Sequence, residues 1–277
     1  MKDITPTLLD SIKKKFQKKF DESNRISELY KRVRDGTATY QTAQDFAVEV
    51  GNMLADAFGE CVHADILPDG RMYYNIASRI IPTMLENNYD ITAEMAKEIQ
   101  QILNRSAGIG IKAVRPELNQ DKINGIVDIV SGAEKYEKIS YMLKDPIINF
   151  TQCVVDDTVR ANADIQDKAG MNPKIIRTSS GKCCEWCDKL AGVYDYERVR
   201  DSGNDVFRRH KNCICLVEFT VDKKMQNVHS KKWAKTEDVR RRIQNSLSNG
   251  KTINKRTREQ AEELEKKLKI KYMKPKK

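Results

Sequence analysis

Six of the chain's metal-ligand-type residues crowd into 33 positions: Cys183, Cys184 and Cys187, then His210, Cys213 and Cys215. The first group, CCEWC, contains a CxxC pair at Cys184 and Cys187, the spacing at which a tight turn can aim two sulfurs at one tetrahedral ion. The second, HKNCIC, sets His210 three residues before Cys213 and five before Cys215. Such a turn can close the shell from the opposite side, and a mixed thiolate and imidazole set suits zinc, which is borderline soft and has no preferred geometry. Five candidates, Cys184, Cys187, His210, Cys213 and Cys215, compete for four places. Cys215 lies two residues beyond Cys213, so in an extended strand it can share the ion or displace His210. Cys183 adjoins Cys184 and is expected to point away. Cys61 and Cys153 sit in apolar stretches without partners in sequence and read as core.

No apolar targeting segment opens the chain, since Met1-Lys2-Asp3 runs into charged sequence. A reducing cytoplasm is therefore the expected place of synthesis, where clustered cysteines hold metal more often than disulfides.

The stretch Cys184-Glu185-Trp186-Cys187-Asp188-Lys189-Leu190-Ala191-Gly192, followed by His210-Lys211-Asn212-Cys213-Ile214-Cys215, resembles the signature of phage minor head proteins of the Mu F type. That family carries a CxxC, a leucine-alanine-glycine and a closing HPNCRC motif in a small C-terminal module behind a long helical region. The likeness covers mainly residues 150 to 220. Lys211 stands where the family has proline and Ile214 where it has arginine; the ligand positions are unaltered. The resemblance implies a minor capsid or head morphogenesis protein of the virion, located in the capsid interior or at the portal vertex. Its implied partners are the portal protein and capsid or scaffold proteins, and its implied work is head assembly and DNA packaging or delivery.

The formal charge of +10 is uneven. From Val221 to Lys277 there are 19 Lys and Arg against 7 Asp and Glu, a balance of +12, which leaves the first 220 residues at −2. A basic tail of this kind is drawn to phosphates and makes DNA an expected partner. The alternative reading is a free zinc-containing DNA-binding protein of a mobile element, with the tail as its phosphate-binding segment. No apolar run is long enough to span a bilayer, so a membrane partner is not expected.

Periodicity places helices through the first 170 residues. Leu9, Ile12, Phe16 and Phe20 recur at helical spacing, and Ile26, Leu29, Tyr30 and Val33 extend the stripe to Gly36. A second helix is expected from Thr39, carrying Phe46, Val50, Leu54 and Phe58, with Gly59 after it. A third runs from Tyr73 to Ile81 and breaks at Pro82; a fourth starts with Thr92 as its cap and ends before Gly108. Residues 107 to 119 read as a loop, Ile123 to Val130 as a short helix, and Asp145-Pro146 as the start of a long helix to Gly170. Beyond it the pattern shortens into strands at Lys174 to Arg177, Val193 to Tyr196, Val206 to Arg209 and Cys215 to Thr220. The tail is expected to resume as helix from Thr236.

The fold class is therefore α+β: a helical region over 1–145, a small zinc-knuckle module over 146–220 with its anchoring helix, and a basic, partly helical or disordered tail over 221–277. Four or five soft ligands close a metal shell, which assigns the ion a structural role and argues against an enzyme. The zinc deaminase pattern fails because Cys183, not proline, precedes Cys184, and His63-Ala64-Asp65 carries the wrong acid. With His210 a ligand, only His63 and His229 remain for an HNH-type nuclease, neither in a catalytic setting. Gly108-Ile109-Gly110 is too short for a phosphate loop, and no small-molecule substrate is expected.

Overall fold

The computed structural model describes residues 3–179, 183–201, 203–211, 213–221, 225–227 and 232–234. The first helix, α1 (Thr5–Glu22), turns Leu8, Ile12, Phe16 and Phe20 inward. Each such side chain, once buried, contributes about 1.5–3 kcal/mol. The stripe beyond it is a separate helix, α2 (Asn24–Arg34), because Ser23 adopts extended backbone and its hydroxyl caps the Ile26 amide at 3.2 Å. At Gly36 the chain leaves α2 with φ of +68°, a conformation that costs glycine nothing.

Thr39 and Thr42 form a reciprocal cap that opens α3 (Tyr40–Cys61), which runs on through Gly59. The two helices expected on either side of Pro82 are one, α4 (Tyr74–Ser106), of 33 residues. Proline withholds only one intrahelical donor, whereas Ile76, Ile80, Ile81, Met84, Leu85 and Ile91 on both sides are buried along one stripe, so packing prevails over the local break. Thr92 is accordingly a buried mid-helix residue and not a cap. Residues 107 to 119 hold no helix or strand, as expected. Asn119 then caps α5 (Gln120–Gly132), and after the single turn α6 (Glu137–Ser140) comes α7 (Lys144–Lys168).

Helix α7 joins two cores. Ile147, Phe150, Val154 and Val155 pack into the large helical core with α1 to α5. Val159 and Ala163, one and two turns further on, belong to a second core with Tyr40, Ile175, Tyr196, Val199, Val206, Phe207 and Val217. That second core underlies a three-stranded antiparallel sheet of order β2-β1-β3, built from β1 (Pro173–Thr178), β2 (Gly192–Asp195) and β3 (Leu216–Val221). Arg177 on the central strand stands opposite Gly192 on one side and Val217 on the other. Two short helices, α8 (Glu185–Lys189) and α9 (Tyr196–Val199), lie between the strands.

The strand expected at Val206 to Arg209 is instead a 3-10 turn over Asp205–Phe207, opened by the Asn204 side chain accepting from the Val206 amide at 2.9 Å. A local cap here outweighs β propensity. Where a tail was expected, a short hairpin is described first: β4 (Met225–Asn227) pairs antiparallel with β5 (Lys232–Ala234). The helix expected from Thr236 lies outside the described residues. The molecule is thus mainly helical with a small C-terminal sheet, and no described helix is long and apolar enough to cross a membrane.

Candidate metal centre

The first turn of the centre forms where the chain returns from β1 into α8. Cys184 is the N-cap of that helix, its sulfur 3.5 Å from the Cys187 amide, so the backbone donates toward the thiol. One turn on, Cys187 is buried. The second turn closes with the Cys213 amide donating to the His210 carbonyl at 3.2 Å, and Cys213 and Cys215 are buried just ahead of β3.

His210 links the two. Its Nδ1 lies 2.5 Å from the Lys211 carbonyl, which can only accept, so Nδ1 carries the proton and Nε2 presents its lone pair. That lone pair faces the sulfurs of Cys187 at 2.9 Å and Cys184 at 3.2 Å. This tautomer is the one a metal-binding imidazole needs. Trp186 packs edge-on to the ring, with centroids 5.6 Å apart.

All five expected ligands come together. They form two triads, Cys184, Cys187 and His210, and Cys187, Cys213 and Cys215, whose ligand atoms lie within 4.8 Å of one another. Either cluster can hold a metal ion, and Cys187 is common to both. Cys183 joins neither; it packs beside the buried cysteines with its sulfur 4.0 Å from Asp188. The cysteines are free thiols, and Cys187 and Cys213, at 3.6 Å between sulfurs, are far outside the roughly 2.05 Å of a disulfide.

Arg177 supplies the charge within. It is 1% exposed, although it sits in a strand. Its Nη1 donates to the carbonyls of Asp205, Val206 and Arg208 at 3.3, 2.7 and 2.9 Å, and its Nη2 points at the sulfurs of Cys187 (3.6 Å) and Cys213 (3.8 Å). The guanidinium also stacks 5.3 Å from the Trp186 ring. Among the described residues its partners are carbonyls and sulfurs, none a carboxylate. A guanidinium stays charged at any ordinary pH, and a charge taken out of water needs a counter-charge. The sulfurs of Cys187 and Cys213 are the groups it faces, so a counter-charge there would have to come from thiolate.

The thiols divide accordingly. Burial pushes the Cys187 thiol up, and hydrogen bonds with Cys215 and Cys213 add to the rise. Burial opposes ionisation of Cys213 too, but the Cys215 amide and the Arg209 guanidinium outweigh it and hold that thiol below its usual value. Cys215 is raised, chiefly by burial. Neighbouring thiols resist ionising together; a divalent cation removes that penalty by adding the missing positive charge.

Helix α7 holds the second turn from behind. Asn149 donates to the His210 carbonyl at 3.0 Å, and Gln152, one turn on, to the Cys213 carbonyl at 3.1 Å. Asp156, one turn further, forms a buried ion pair with Arg209, both side chains 1% exposed. Arg209 donates onward to the Cys213 carbonyl at 3.3 Å, and Gln44 of α3 donates to Asp156 at 2.9 Å. Burial disfavours the Arg209 charge, but Asp156 more than offsets it and keeps the guanidinium firmly protonated.

Sequence reasoning missed these supports. Arg177 could have been found from strand alternation, which puts it on the same buried face as Pro173 and Ile175. Asn149, Gln152 and Asp156 recur at helical spacing on the otherwise apolar side of α7, a polar stripe that asks for polar partners. The reading of Cys153 as partnerless core also needs correction. It is buried, but the Lys122 ammonium stands 2.6 Å from its sulfur, and both line a cleft of about 790 Å³ between α5, α7 and the C-terminal module.

No protein-family model, curated protein or solved structure matches this chain.

Proposed function

We propose that the centre holds a structural zinc ion and that the chain is a minor head component of a phage, similar to the Mu F type. Zinc sits about 2.3 Å from each sulfur, which in a tetrahedron puts sulfurs about 3.8 Å apart. The Cys187 and Cys213 sulfurs, at 3.6 Å, are close to that edge. Charge supports His210 as one of the four ligands. Zinc with three thiolates and a neutral imidazole carries one negative charge, which the buried guanidinium of Arg177 balances; the buried Arg209 guanidinium is already paired with Asp156, so four thiolates would leave a second charge uncompensated. A shell closed in this way leaves no position for substrate or catalytic water, so the module acts as a rigid docking unit and not as an enzyme.

The observation that carries the wider reading is the convergence of Cys184, Cys187, His210, Cys213 and Cys215, the cysteine and histidine positions of the two motifs, on two triads that share Cys187, behind a body of seven helices. In this reading the helical body meets the portal and capsid or scaffold proteins, and the basic segment after Val221 meets packaged DNA. The deciding experiment is purification of proheads and mature particles together with a portal pull-down, followed by mass spectrometry for this chain. Recovery with the portal oligomer is expected; absence from portal, proheads and particles alike would overturn the assignment. The +12 balance of residues 221–277 favours, as a second reading, a free DNA-binding protein of a mobile element, which predicts tight salt-sensitive DNA binding and no particle association. Elemental analysis of the purified chain tests the metal separately.

A further inference from the structure

Lys122 lies in the first turn of α5 and Cys153 in the middle of α7, and the lysine Nζ stands 2.6 Å from the cysteine Sγ. An N–H donor approaches oxygen to about 2.7–3.2 Å, and sulfur is the larger atom, so this separation is too close for an ordinary hydrogen bond to a thiol. It is also well beyond a direct nitrogen–sulfur bond. One oxygen atom, bonded to both and bent at its own angle, spans such a gap.

The surroundings suit oxidation. Both residues line the cleft of about 790 Å³, which admits a small oxidant to a thiol that is otherwise 5% exposed. Burial outweighs the opposing pull of Lys122 and leaves the Cys153 thiol raised to about 11, so it is the ammonium placed against the sulfur that makes this thiol a partner for the lysine. Asp157 borders the same cleft and interacts with Lys122, so a carboxylate is at hand for the proton the ammonium must lose. The side-chain amide oxygen of Asn149, one turn before Cys153, lies 3.6 Å from the sulfur and can accept from the thiol.

We propose that Lys122 and Cys153 are a modification site, which hydrogen peroxide closes into a covalent N–O–S bridge between α5 and α7. The overall step consumes the lysine amine, the cysteine thiol and two peroxides and yields the bridge and three waters. Nitrogen and sulfur each give up two electrons, and each peroxide accepts two; one peroxide oxygen is retained between them. Two equivalents of a dithiol reverse the step, returning amine, thiol and one water and becoming two disulfides. The bridge staples the first turn of α5 to the helix that carries the metal module, and so fixes the wall of the cleft.

The test is peptide mapping of the full, metal-loaded chain after hydrogen peroxide treatment. Trypsin is expected to stop cutting after Lys122, and a linked peptide containing Lys122 and Cys153 is expected about 14 Da above the sum of its two parts, one oxygen gained and two hydrogens lost. Dithiothreitol should restore both free peptides. In Lys122→Arg the linked species should vanish, and Cys153 should instead climb to the sulfinic and sulfonic acids, about 32 and 48 Da heavier. A linked peptide about 2 Da lighter than its parts would mean a direct nitrogen–sulfur bond and would overturn the proposal. So would oxygen added to Cys153 in the unsubstituted chain without linkage to Lys122, or a Cys153 that peroxide leaves unchanged.

Discussion

Arg177 and Cys187 meet inside the C-terminal module with the guanidinium Nη2 3.6 Å from the sulfur, a permanent cation placed against a thiol that burial pushes up. The same guanidinium ties down three carbonyls of the turn leading to His210.

Removing that side chain takes the guanidinium donor from the carbonyls of Val206 and Arg208, while the Asp205 carbonyl still accepts from the Arg208 amide. Arg177→Met is therefore expected to cost about 3 kcal/mol or more. Arg177→Lys should recover little of it, because an ammonium cannot reproduce the planar fork. Thermal unfolding with hydrogen exchange checks this, with lost protection expected in residues 173–221 while α1 to α5 stay protected.

Because Cys187 belongs to both triads, Cys187→Ser should abolish metal binding, taking the content from about one ion per chain to none. Cys213→Ser and Cys215→Ser should differ, since the shell needs only one of the two alongside Cys184, Cys187 and His210. Metal-to-protein ratios of the three variants, measured on protein purified at the same pH, decide the point. Equal retention in Cys187→Ser would exclude that residue as the shared ligand.

Asp157 gives a pH signature. Burial, and secondarily the Asp156 charge, push it from an ordinary 3.8 up to about 6. The folded protein thus keeps a proton that the unfolded chain has already lost, so stability falls as pH rises from about 4 to 6, and the penalty is fully present at pH 7. Asp157→Asn should raise stability at pH 7 by about 1–2 kcal/mol and leave it almost unchanged near pH 4. Denaturant midpoints of the two proteins across that range provide the measurement.

Gly51 and Gly59 lie on the same helix and should respond oppositely to alanine. A Cβ at Gly51 would stand 3.0 Å from the Ile148 backbone of α7, so Gly51→Ala should cost about 1–3 kcal/mol by forcing α3 and α7 apart. At Gly59 nothing lies within 4 Å, and Gly59→Ala should gain about 0.5–1 kcal/mol from helix propensity. Paired urea titrations suffice to compare them.

Deletion of residues 222–277 should remove salt-sensitive DNA binding and leave metal content unchanged. Filter binding at several salt concentrations would show this as loss of the steep logarithmic salt slope, since 12 net positive charges go with the segment.

The stripes of α1 to α5 were legible because each helix buries one face, and a period near 3.6 survives in the sequence whatever the helix packs against. The candidate metal ligands were legible because sulfur and imidazole at these spacings have few other uses. Pro82 misled because a local rule about one missing hydrogen bond says nothing of the apolar surface held on either side of it. The Ser23 break was hidden for the opposite reason: the apolar spacing of Phe20 and Ile26 carries across a cap that interrupts only the backbone. Arg177, Asp156 and Arg209 were illegible as partners because the carbonyls that Arg177 holds and the Asp156–Arg209 pair join residues 28 to 53 positions apart, and such pairings exist only once the C-terminal module has folded.

Asn149, Gln152 and Asp156 give the second turn of the centre three successive handholds along a single rod. The module therefore has no swivel at that point. A load applied to it would be delivered to the helical body as a tilt of α7, the one rod to which all three handholds belong.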